Sequence, residues 1–321
     1  MDLTWRPLTL DDVPAFTRLY AAAEEVDRTG DHFSDEDLRD ELEGPNIDLA
    51  RATTGAWAGE ALVAYGLVRR RDAANPVHMI RLQSVVHPEY RTDAVGAHLV
   101  EWFSRTSREV NERAFPDAPF ELHHGQHQNE RWITGVLTAA GYTHARTMVN
   151  MRVGLADLPP QPPLPDGFTA VPFDRKHDLA VLDARNDTFG DHWGSTPYEP
   201  DAWRHLVTGS KDFRPDLSYL ILDGDKVLAF VLSHFYASEA EATGIREHYA
   251  TWVGTRAVLR GRGVASGLLG HTLIAAKAAG FDRSALNVDV DNAHRALGVY
   301  ERCGYRVDDE WHVYVLTDPR G

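Results

Sequence analysis

The sequence has a single cysteine, Cys303, and no apolar run long enough to cross a bilayer. One cysteine excludes an intramolecular disulfide and a metal site built from several thiolates. A membrane-spanning helix needs about 18 or more consecutive apolar residues, and the residues after Met1 lack the basic and then apolar order of a signal peptide. These absences predict a cytoplasmic protein that does not bind a membrane.

Positive charge is also scarce, since 33 Lys and Arg residues stand against 48 Asp and Glu residues and give a net charge of −15 at pH 7. This balance disfavours binding to nucleic acid or to an anionic membrane. Hydrophobic residues make up 43% of the 321 positions, which is enough for packed cores and excludes disorder as the main state. An anionic ligand would therefore need a local group of positive charges.

Proline is concentrated at the middle of the chain, where five of the 17 prolines fall within residues 159–165. Such a stretch cannot join a helix or a sheet and favours an extended linker. We expect a linker over residues 158–167, with one domain over 1–157 and another over 168–321.

The two halves share motifs in the same order, which indicates a tandem repeat. The hairpin signal at residues 59–60 recurs at 224–225, and both 129–142 and 292–305 run from an asparagine to a Gly-Tyr pair. Each half predicts an α/β fold in which helices cover both faces of a mixed sheet. In the second half we expect helices over 178–189, 200–208, 264–279 and 293–302, a hairpin over 217–236, and strands over 168–173, 246–256, 284–290 and 305–316.

A glycine-rich loop, Arg260-Gly-Arg-Gly-Val-Ala265, follows a predicted strand and opens a predicted helix. Glycines let the backbone approach a ligand closely, and the free amides of a helix start can cradle a phosphate. Arg260 and Arg262 add local positive charge. A Walker loop is excluded because no Gly-Lys-Ser/Thr follows. A dinucleotide fingerprint is nearer, but it would follow its strand directly and lie near the start of its domain.

The pattern Arg260-x-x-Gly263-x-Ala265 resembles the acetyl-CoA signature of the GNAT superfamily of N-acetyltransferases, and residues 286–305 are similar to the last conserved motif of that family. The tandem arrangement resembles the double-domain acetyltransferases of actinobacteria. The resemblance implies two GNAT domains, each with a mixed, mainly antiparallel sheet and helices on both faces. It also implies acetyl-CoA as cosubstrate and no metal.

By this resemblance, the loop and the strand before it would hold acetyl-CoA. The pantetheine arm would run along Val253 and Thr255, with the amide of Val253 facing the oxyanion of the tetrahedral intermediate. Asn292 would bond the pantetheine amides, although capping of its helix is an alternative role. The pyrophosphate would lie on the loop and the first helical turn, which comprise Arg260, Gly261, Arg262, Gly263, Val264, Ala265 and Ser266.

The same resemblance makes Tyr300 the proton donor to the departing thiolate, because a phenol of pKa ~10 can protonate a thiolate whose thiol pKa is ~8.5. A core aromatic position is the alternative for Tyr300. Asn287, where the superfamily often places a glutamate, cannot take a proton, so Glu247 is the candidate general base, directly or through water, and Asp289 is the second candidate. For a less basic acceptor, bulk water is the alternative. A solvated or capping role is the alternative for Asp289.

Other polar segments have weaker signals. Asp191, His192 and Trp193 lie where this fold usually presents its acceptor side, so they are candidate amine-binding residues, with a structural loop as the alternative. The His-rich stretch 121–127 alternates along a predicted strand, which favours sheet surface over a metal site. Cys303 is expected to pack in the core rather than to react.

The first half has lost parts of the site. Its equivalent loop reads Arg91-Thr-Asp-Ala-Val-Gly96, in which Ala94 replaces the second glycine and Asp93 puts a negative charge where pyrophosphate would lie. Leu137 stands at the position of Tyr300. We therefore expect this half to be catalytically inactive.

The sequence thus predicts an acetyl-CoA-dependent N-acetyltransferase that acetylates a primary amine of a small molecule by direct attack in a ternary complex. The acidic composition favours a cationic acceptor such as an amine. Two alternatives stay open, a non-catalytic acyl-CoA sensor or scaffold and a protein N-terminal or lysine acetyltransferase. We expect the protein to be a monomer or a homodimer.

Overall fold

The computed structural model describes residues 3–75, 77–291 and 296–317. The strands in these ranges are β1 (Thr4–Arg6), β2 (Thr53–Ala58), β3 (Ala61–Arg69), β4 (His78–Val86), β5 (Phe120–His127), β6 (Thr143–Gly154), β7 (Val171–Pro172), β8 (Tyr219–Asp223), β9 (Lys226–His234), β10 (Glu247–Thr255), β11 (Arg283–Asp289) and β12 (Arg306–Thr317). The α-helices are α1 (Val13–Asp27), α2 (Asp35–Leu42), α3 (Leu49–Ala52), α4 (Asp93–Ala114), α5 (Arg131–Ala139), α6 (Asp178–Thr188), α7 (Pro200–Trp203), α8 (Ala237–Thr243), α9 (Val264–Ala278) and α10 (Leu297–Arg302).

The chain divides into two compact units, one made of the described residues up to Arg146 and from Trp311 onward, the other of Thr147–Glu310. The strand order is β1-β2-β3-β4-β5-β12 in the first unit and β7-β8-β9-β10-β11-β6 in the second. Within each unit the neighbours are antiparallel, apart from the parallel pairs β4 with β5 and β10 with β11. Each unit therefore has the mixed, mainly antiparallel sheet that the sequence predicts.

The last strand of each half pairs within the unit formed mainly by the other half. In β6, residues 148–154 pair with 283–289 of β11, and in β12, residues 311–317 pair with 121–127 of β5. The sequence did not predict this exchange, because pairing between strands far apart in the chain leaves no local pattern.

Helices cover both faces of the second unit's sheet. On one face, α6 and α7 pack on side chains of β9 such as Phe230 and Leu232. On the other face, α9 and α10 pack on β11 and β6 through residues such as Leu269, Leu286 and Met151. The expected helix over 264–279 is α9, and the expected helix over 200–208 is α7 followed by a π-helical turn over Arg204–Thr208. Helix α8 was not predicted.

The repeat predicted from sequence is visible in matching details. The hairpins β2–β3 and β8–β9 turn at Gly59 and Gly224, whose φ angles of 63° and 58° favour glycine. Both hairpins have a register shift at the same place. It lies between Ala56 and Trp57 in the first and between Ile221 and Leu222, 165 residues later, in the second. The halves are therefore two copies of one fold.

The proline-rich stretch lies inside the second unit, against α9. A Cβ on Gly267 would be 2.7 Å from Pro163 O, and one on Gly304 would be 2.7 Å from Pro159 Cγ. Gln161 Nε2 donates to Cys303 O at 3.2 Å. The boundary between the two compact units therefore does not lie in this stretch. The domain limits 1–157, 158–167 and 168–321 stay predictions. No helix in the described part of the chain is long and apolar enough to span a membrane.

Candidate active site

The sheet of the second unit opens between β10 and β11. Residues 247–249 pair in parallel with 283–285, and the described register goes no further. Beyond that point β10 stays paired with β9, and β11 with β6. A register shift between Ala250 and Trp252 places a bulge at the start of the opening. Because a bulge bends and twists its strand, it helps to part the two strands into a split.

The amides of β10 beyond the bulge are directed by the pairing with β9. Arg256 N donates to Leu228 O at 2.9 Å, so its N–H faces β9. Successive peptide groups of a strand point to opposite sides, so the N–H groups of Val253 and Thr255 point into the split. Thr255 O accepts Arg260 Nε at 3.2 Å on that same side. Both residues expected along the pantetheine arm thus present their backbone to the split.

The loop after β10 forms an open helix start. Gly261 and Gly263 have φ angles of 74° and 81°, which few other residues adopt. The first bond of α9 runs from Gly267 N to Gly263 O at 3.0 Å, and no side chain caps the helix. Arg260 and Arg262 are exposed beside it. The amides ahead of this bond have no side-chain cap, which is the arrangement that an anion cradle needs, and they belong to Val264, Ala265 and Ser266.

Tyr300 lies on α10 with its ring in the core of the second unit and 8% of the residue exposed. Burial raises the pKa of Tyr300 to about 12, so the phenol keeps its proton at neutral pH. Its ring centroid is 6.3 Å from that of Tyr305. Cys303 is fully buried, as expected for packing. Asn292, the expected pantetheine ligand, lies outside the described residues.

Glu247, one candidate base, is held by two guanidinium groups. Its Oε2 accepts Arg152 Nε at 3.0 Å and also forms an ion pair with Arg283. The residue is 7% exposed. This carboxylate therefore has a structural role in an ion-pair cluster, and its role as base stays a prediction.

Asp289, the other candidate base, lies at the end of β11. Its Oδ1 accepts Asp291 N at 2.9 Å, which stabilises the turn that follows. On the same strand, Asn287 Nδ2 donates to Asn150 Oδ1 at 2.8 Å, and Asn150 Nδ2 donates to Asp309 Oδ1 at 2.7 Å. A polar network thus connects β11 with β6. Asn150 and Arg152 were missed because β6 was not expected beside β11.

The loop after α6 contains the expected amine-binding residues. Asp191 is exposed, and Trp193 is 37% exposed. The His192 ring lies 4.4 Å from that of Phe189, centroid to centroid. The structure places the three residues together on this loop, and their contact with an amine stays a prediction.

A buried arginine that sequence analysis missed organises this loop. Arg185 is 3% exposed, and its Nη1 donates to Thr196 O at 2.6 Å. Its guanidinium lies 4.4 Å from the ring centre of Tyr198 and 4.6 Å from that of Trp252 on β10. The loop is therefore fixed against the strand that borders the split. An arginine within a helix gives no sequence signal for such a role.

Two buried histidines flank the bulge of β10. His234 Nδ1 is 2.8 Å from Thr251 Oγ1, and His248 lies between Ser284 Oγ at 2.7 Å and Ser233 Oγ at 2.8 Å. Burial lowers the pKa of His234 to about 4 and that of His248 to about 3. Both imidazoles are therefore neutral at pH 7 and act as hydrogen-bonding parts of the core.

The equivalent helix start in the first unit has a side-chain cap. Thr92 Oγ1 caps α4 by accepting Val95 N at 3.3 Å. Arg91 donates Nε to Val86 O at 3.2 Å, as Arg260 does to Thr255, but its other nitrogens pair with Asp27. Leu137, at the position of Tyr300, is fully buried. These contacts support the expectation that this half is catalytically inactive.

The His-rich strand, β5, differs from its expectation. His123, His124 and His127 are 6%, 2% and 3% exposed, so they do not lie on the sheet surface. The sequence did not predict that other elements of the first unit cover these histidines. Alternation of residue types along a strand does not show which face of the sheet is covered. In the described part of the chain, no group of three or more His, Cys, Asp or Glu residues is arranged to hold a metal ion.

Comparisons with known proteins agree with this geometry. The model of the Acetyltransferase (GNAT) family matches residues 179–305. Mycothiol acetyltransferase from Actinosynnema mirum is 30% identical over 312 residues, which cover 95% of this chain and 96% of that protein. Mycothiol acetyltransferase from a Parafrankia species is 28% identical over 330 residues, which cover 95% of both chains.

Solved structures resemble the whole chain. A GCN5-related N-acetyltransferase from Sphaerobacter thermophilus superposes with a TM-score of 0.78 at 25% identity, over 98% of this chain and 96% of that one. A tandem GNAT protein from the clavulanic acid biosynthesis pathway shares the fold, with a TM-score of 0.70 at 15% identity over 99% of both chains. The chain therefore belongs to the GNAT family of acyl-CoA-dependent N-acetyltransferases, as a tandem of two such folds.

Proposed function

We propose that the second unit binds acetyl-CoA and transfers its acetyl group to the primary amine of a small molecule by direct attack in a ternary complex. The observation that carries this proposal is the continuity of β10 with the loop. The strand presents amides at Val253 and Thr255 to a split, then leads into an uncapped helix start beside Arg260 and Arg262. A pantetheine chain and a pyrophosphate need this order of partners.

The residues present account for each part of the reaction. The amine nitrogen forms a bond to the thioester carbonyl carbon, and the Val253 N–H would stabilise the oxyanion that develops. The carbon–sulfur bond then breaks, and the Tyr300 hydroxyl would give its proton to the leaving sulfur. The proton lost by the amine would pass to Asp289 or Glu247. No covalent acyl-enzyme is needed, and Cys303 is too buried to form one.

The acceptor side favours a cation. The ion-pair cluster around β6, β10 and β11 joins three carboxylates to the guanidinium groups of Arg152 and Arg283. The carboxylates belong to Glu247, Asp308 and Asp309. A protonated amine would be attracted by this surplus of carboxylates before it loses its proton. Because the relatives that span the chain are named mycothiol acetyltransferases, the acceptor of that reaction belongs first in any panel of amines.

The proposal is tested by thiol release from acetyl-CoA with a panel of amines, alongside calorimetry with CoA alone. We expect release that depends on one class of small amine. Binding of CoA without release for any amine would instead favour the acyl-CoA sensor, and release with peptide amines alone would favour a protein acetyltransferase.

A matched pair of variants locates the cofactor. Arg262→Asp places in the second unit the charge that Asp93 has in the first, so we expect acetyl-CoA affinity to fall by about tenfold or more. Arg175→Asp changes an exposed arginine of the same unit away from the loop and should leave the affinity within about twofold. Equal losses in both variants would point to net charge rather than to the loop.

A further inference from the structure

The first unit keeps a split of its own. Residues 78–82 of β4 pair in parallel with 120–124 of β5, and the described register ends there. Just beyond, residues 83–86 and Gly125 border an open pocket. The pocket thus lies in the first unit where the second unit has its candidate active site.

This pocket cannot take acetyl-CoA in the manner of the second unit. Thr92 caps the helix start, Asp93 adds a carboxylate to its first turn, and Arg91 is paired with Asp27. A pyrophosphate would meet the Asp93 carboxylate at this helix, together with an amide already bonded to Thr92 and a guanidinium already paired with Asp27. The end of the split that would hold the cofactor is therefore unfavourable to an anion.

The walls of the pocket are acidic instead. Four carboxylates line it, from Glu24, Asp27, Asp31 and Glu130, against one guanidinium, from Arg91. Glu24 is fixed by accepting Thr29 N and Gly30 N at 2.8 and 2.9 Å, and Glu130 by accepting His127 N at 2.6 Å. Burial raises the pKa of Glu130 to about 7, and Asp27 and Asp31 add to this effect. Acidic side chains therefore outnumber basic ones in the pocket wall.

Neutral polar and aromatic groups complete the wall. His124 is 2% exposed, and its Nε2 is 2.9 Å from Ser84 Oγ. Its Nδ1 is buried and has no hydrogen-bond partner among the described residues. Burial lowers the pKa of His124 to about 4, so the ring is neutral at pH 7. The rings of Tyr20, Trp132 and Trp311 also line the pocket and suit an apolar body or a cation.

We propose that the pocket of the first unit is a second ligand site, which binds a small primary amine with an aromatic or apolar body as its ammonium ion. The ammonium group would pair with Glu130 and the neighbouring carboxylates, and the body would lie against Trp132 and Trp311. The first copy of the fold thus keeps an amine site after losing its cofactor site.

The test is hydrogen–deuterium exchange of the full chain with three probes. Tyramine should protect the segments 82–86 and 124–133, whereas the uncharged analogue 4-ethylphenol should protect them at least about fivefold less at equal concentration. Acetyl-CoA should leave both segments unchanged. Equal protection by the two phenols, no protection by tyramine at millimolar concentration, or protection of these segments by acetyl-CoA would each overturn the proposal. Protection of 260–268 by acetyl-CoA reports on the proposed function separately.

Two variants test whether the carboxylate of Glu130 pairs with the ammonium group. Glu130→Gln should weaken the tyramine protection of 82–86 and 124–133 by about tenfold or more. Glu101→Gln makes the same change on an exposed position of α4 outside the pocket and should retain the protection. If Glu130→Gln does not fold, the comparison of tyramine with 4-ethylphenol on the unchanged protein still decides. Undiminished protection in a folded Glu130→Gln protein would contradict the assignment.

Discussion

The hydroxyl of Tyr300 is in an apolar setting that keeps it protonated, because burial raises its pKa to about 12. The same low polarity disfavours a free thiolate, so it also raises the proton affinity of the sulfur that leaves. The pKa of the phenol and that of the leaving thiol are therefore both raised, so a phenol can still act as an acid toward a departing thiolate.

Tyr300→Phe is expected to lower kcat by about 10²-fold or more, because general acid catalysis is worth about that much, while the KM for acetyl-CoA changes little. Tyr305→Phe is the matched control. It removes a hydroxyl that lies 2.7 Å from Ser284 Oγ, so it should cost stability and leave kcat within about threefold. Thiol release and thermal unfolding separate the two results. Unchanged turnover in Tyr300→Phe would remove this residue from the mechanism.

The two candidate bases differ in what a substitution should do. Glu247→Gln leaves Arg152 and Arg283 without their carboxylate, so we expect a loss of about 1–3 kcal/mol in unfolding free energy. Asp289→Asn keeps the turn bond from Asp291 N and should mainly lower kcat. Urea unfolding and steady-state kinetics of both proteins check this. A stable Glu247→Gln protein with strongly reduced kcat would instead make Glu247 the base.

Glu130 should make the stability of the first unit depend on pH. Its pKa rises from 4.5 to about 7 on folding, so between these values the folded state binds a proton that the unfolded chain has lost. Stability therefore falls as pH rises through this window. Glu130→Gln cannot ionise and should be more stable than the unchanged protein above pH ~7, by at most about 3 kcal/mol, with no gain near pH ~4. Urea unfolding across this range measures the difference, and a gain independent of pH would exclude the titration of Glu130.

At the scale of elements, the two halves differ most clearly in how their equivalent helices begin. The N-cap residue of α9 is Gly263, which has no side chain to cap the helix, whereas the N-cap residue of α4 is Thr92, whose hydroxyl accepts Val95 N. A capped start is more stable by about 1 kcal/mol. An uncapped start leaves its amides free for a ligand, so the second half gives up local stability at the place where we propose that it binds an anion.

Packing of the proline-rich stretch on α9 depends on Gly267. A Cβ there would meet Pro163 O at 2.7 Å and Leu164 Cα at 2.8 Å, both of them backbone atoms that cannot rotate away. Gly267→Ala is therefore expected to lower stability by about 1–3 kcal/mol. At Gly298 in α10 the nearest atom is Arg302 Nη1 at 3.5 Å, so Gly298→Ala should be neutral or stabilising by up to about 1 kcal/mol. Thermal unfolding compares the two, and equal stability would show that the stretch is not docked.

Local patterns predicted the elements well, because they depend on neighbours in sequence. Apolar spacing gave α9, and glycine turns gave both hairpins. The exchange of β6 and β12, the role of Arg185 and the burial of His124 were not predictable in this way. Each depends on which distant segment covers a face, and no alternation within one segment specifies that. The loop of the candidate site is recognisable in the sequence because its glycines and arginines are contiguous.

At the scale of the whole molecule, the surplus of negative charge is compatible with an anionic cofactor only through local arrangement. A net charge of −15 repels acetyl-CoA at long range, but at physiological salt this field is screened beyond about 8 Å. Within that distance Arg260, Arg262 and the amides of α9 would act on the pyrophosphate in the proposed complex. Charge position therefore matters more than net charge for this cofactor.

The stability of the second unit depends on β6, a strand that comes from the first half of the sequence. Val149, Met151 and Val153 of β6 are 3%, 0% and 7% exposed in the core of the second unit. Burial of each side chain is worth about 1.5–3 kcal/mol, so their loss would remove about 5–9 kcal/mol, as much as many domains have in total. A fragment of residues 168–321 lacks β6, although it holds every candidate catalytic residue. We therefore expect that this fragment neither unfolds cooperatively nor binds acetyl-CoA. A fragment of residues 147–310, which matches the compact unit, should unfold cooperatively and bind acetyl-CoA. Circular dichroism during heating and calorimetry with acetyl-CoA compare the two fragments, and a shorter fragment that folds and binds like the longer one would show that the second unit does not need β6.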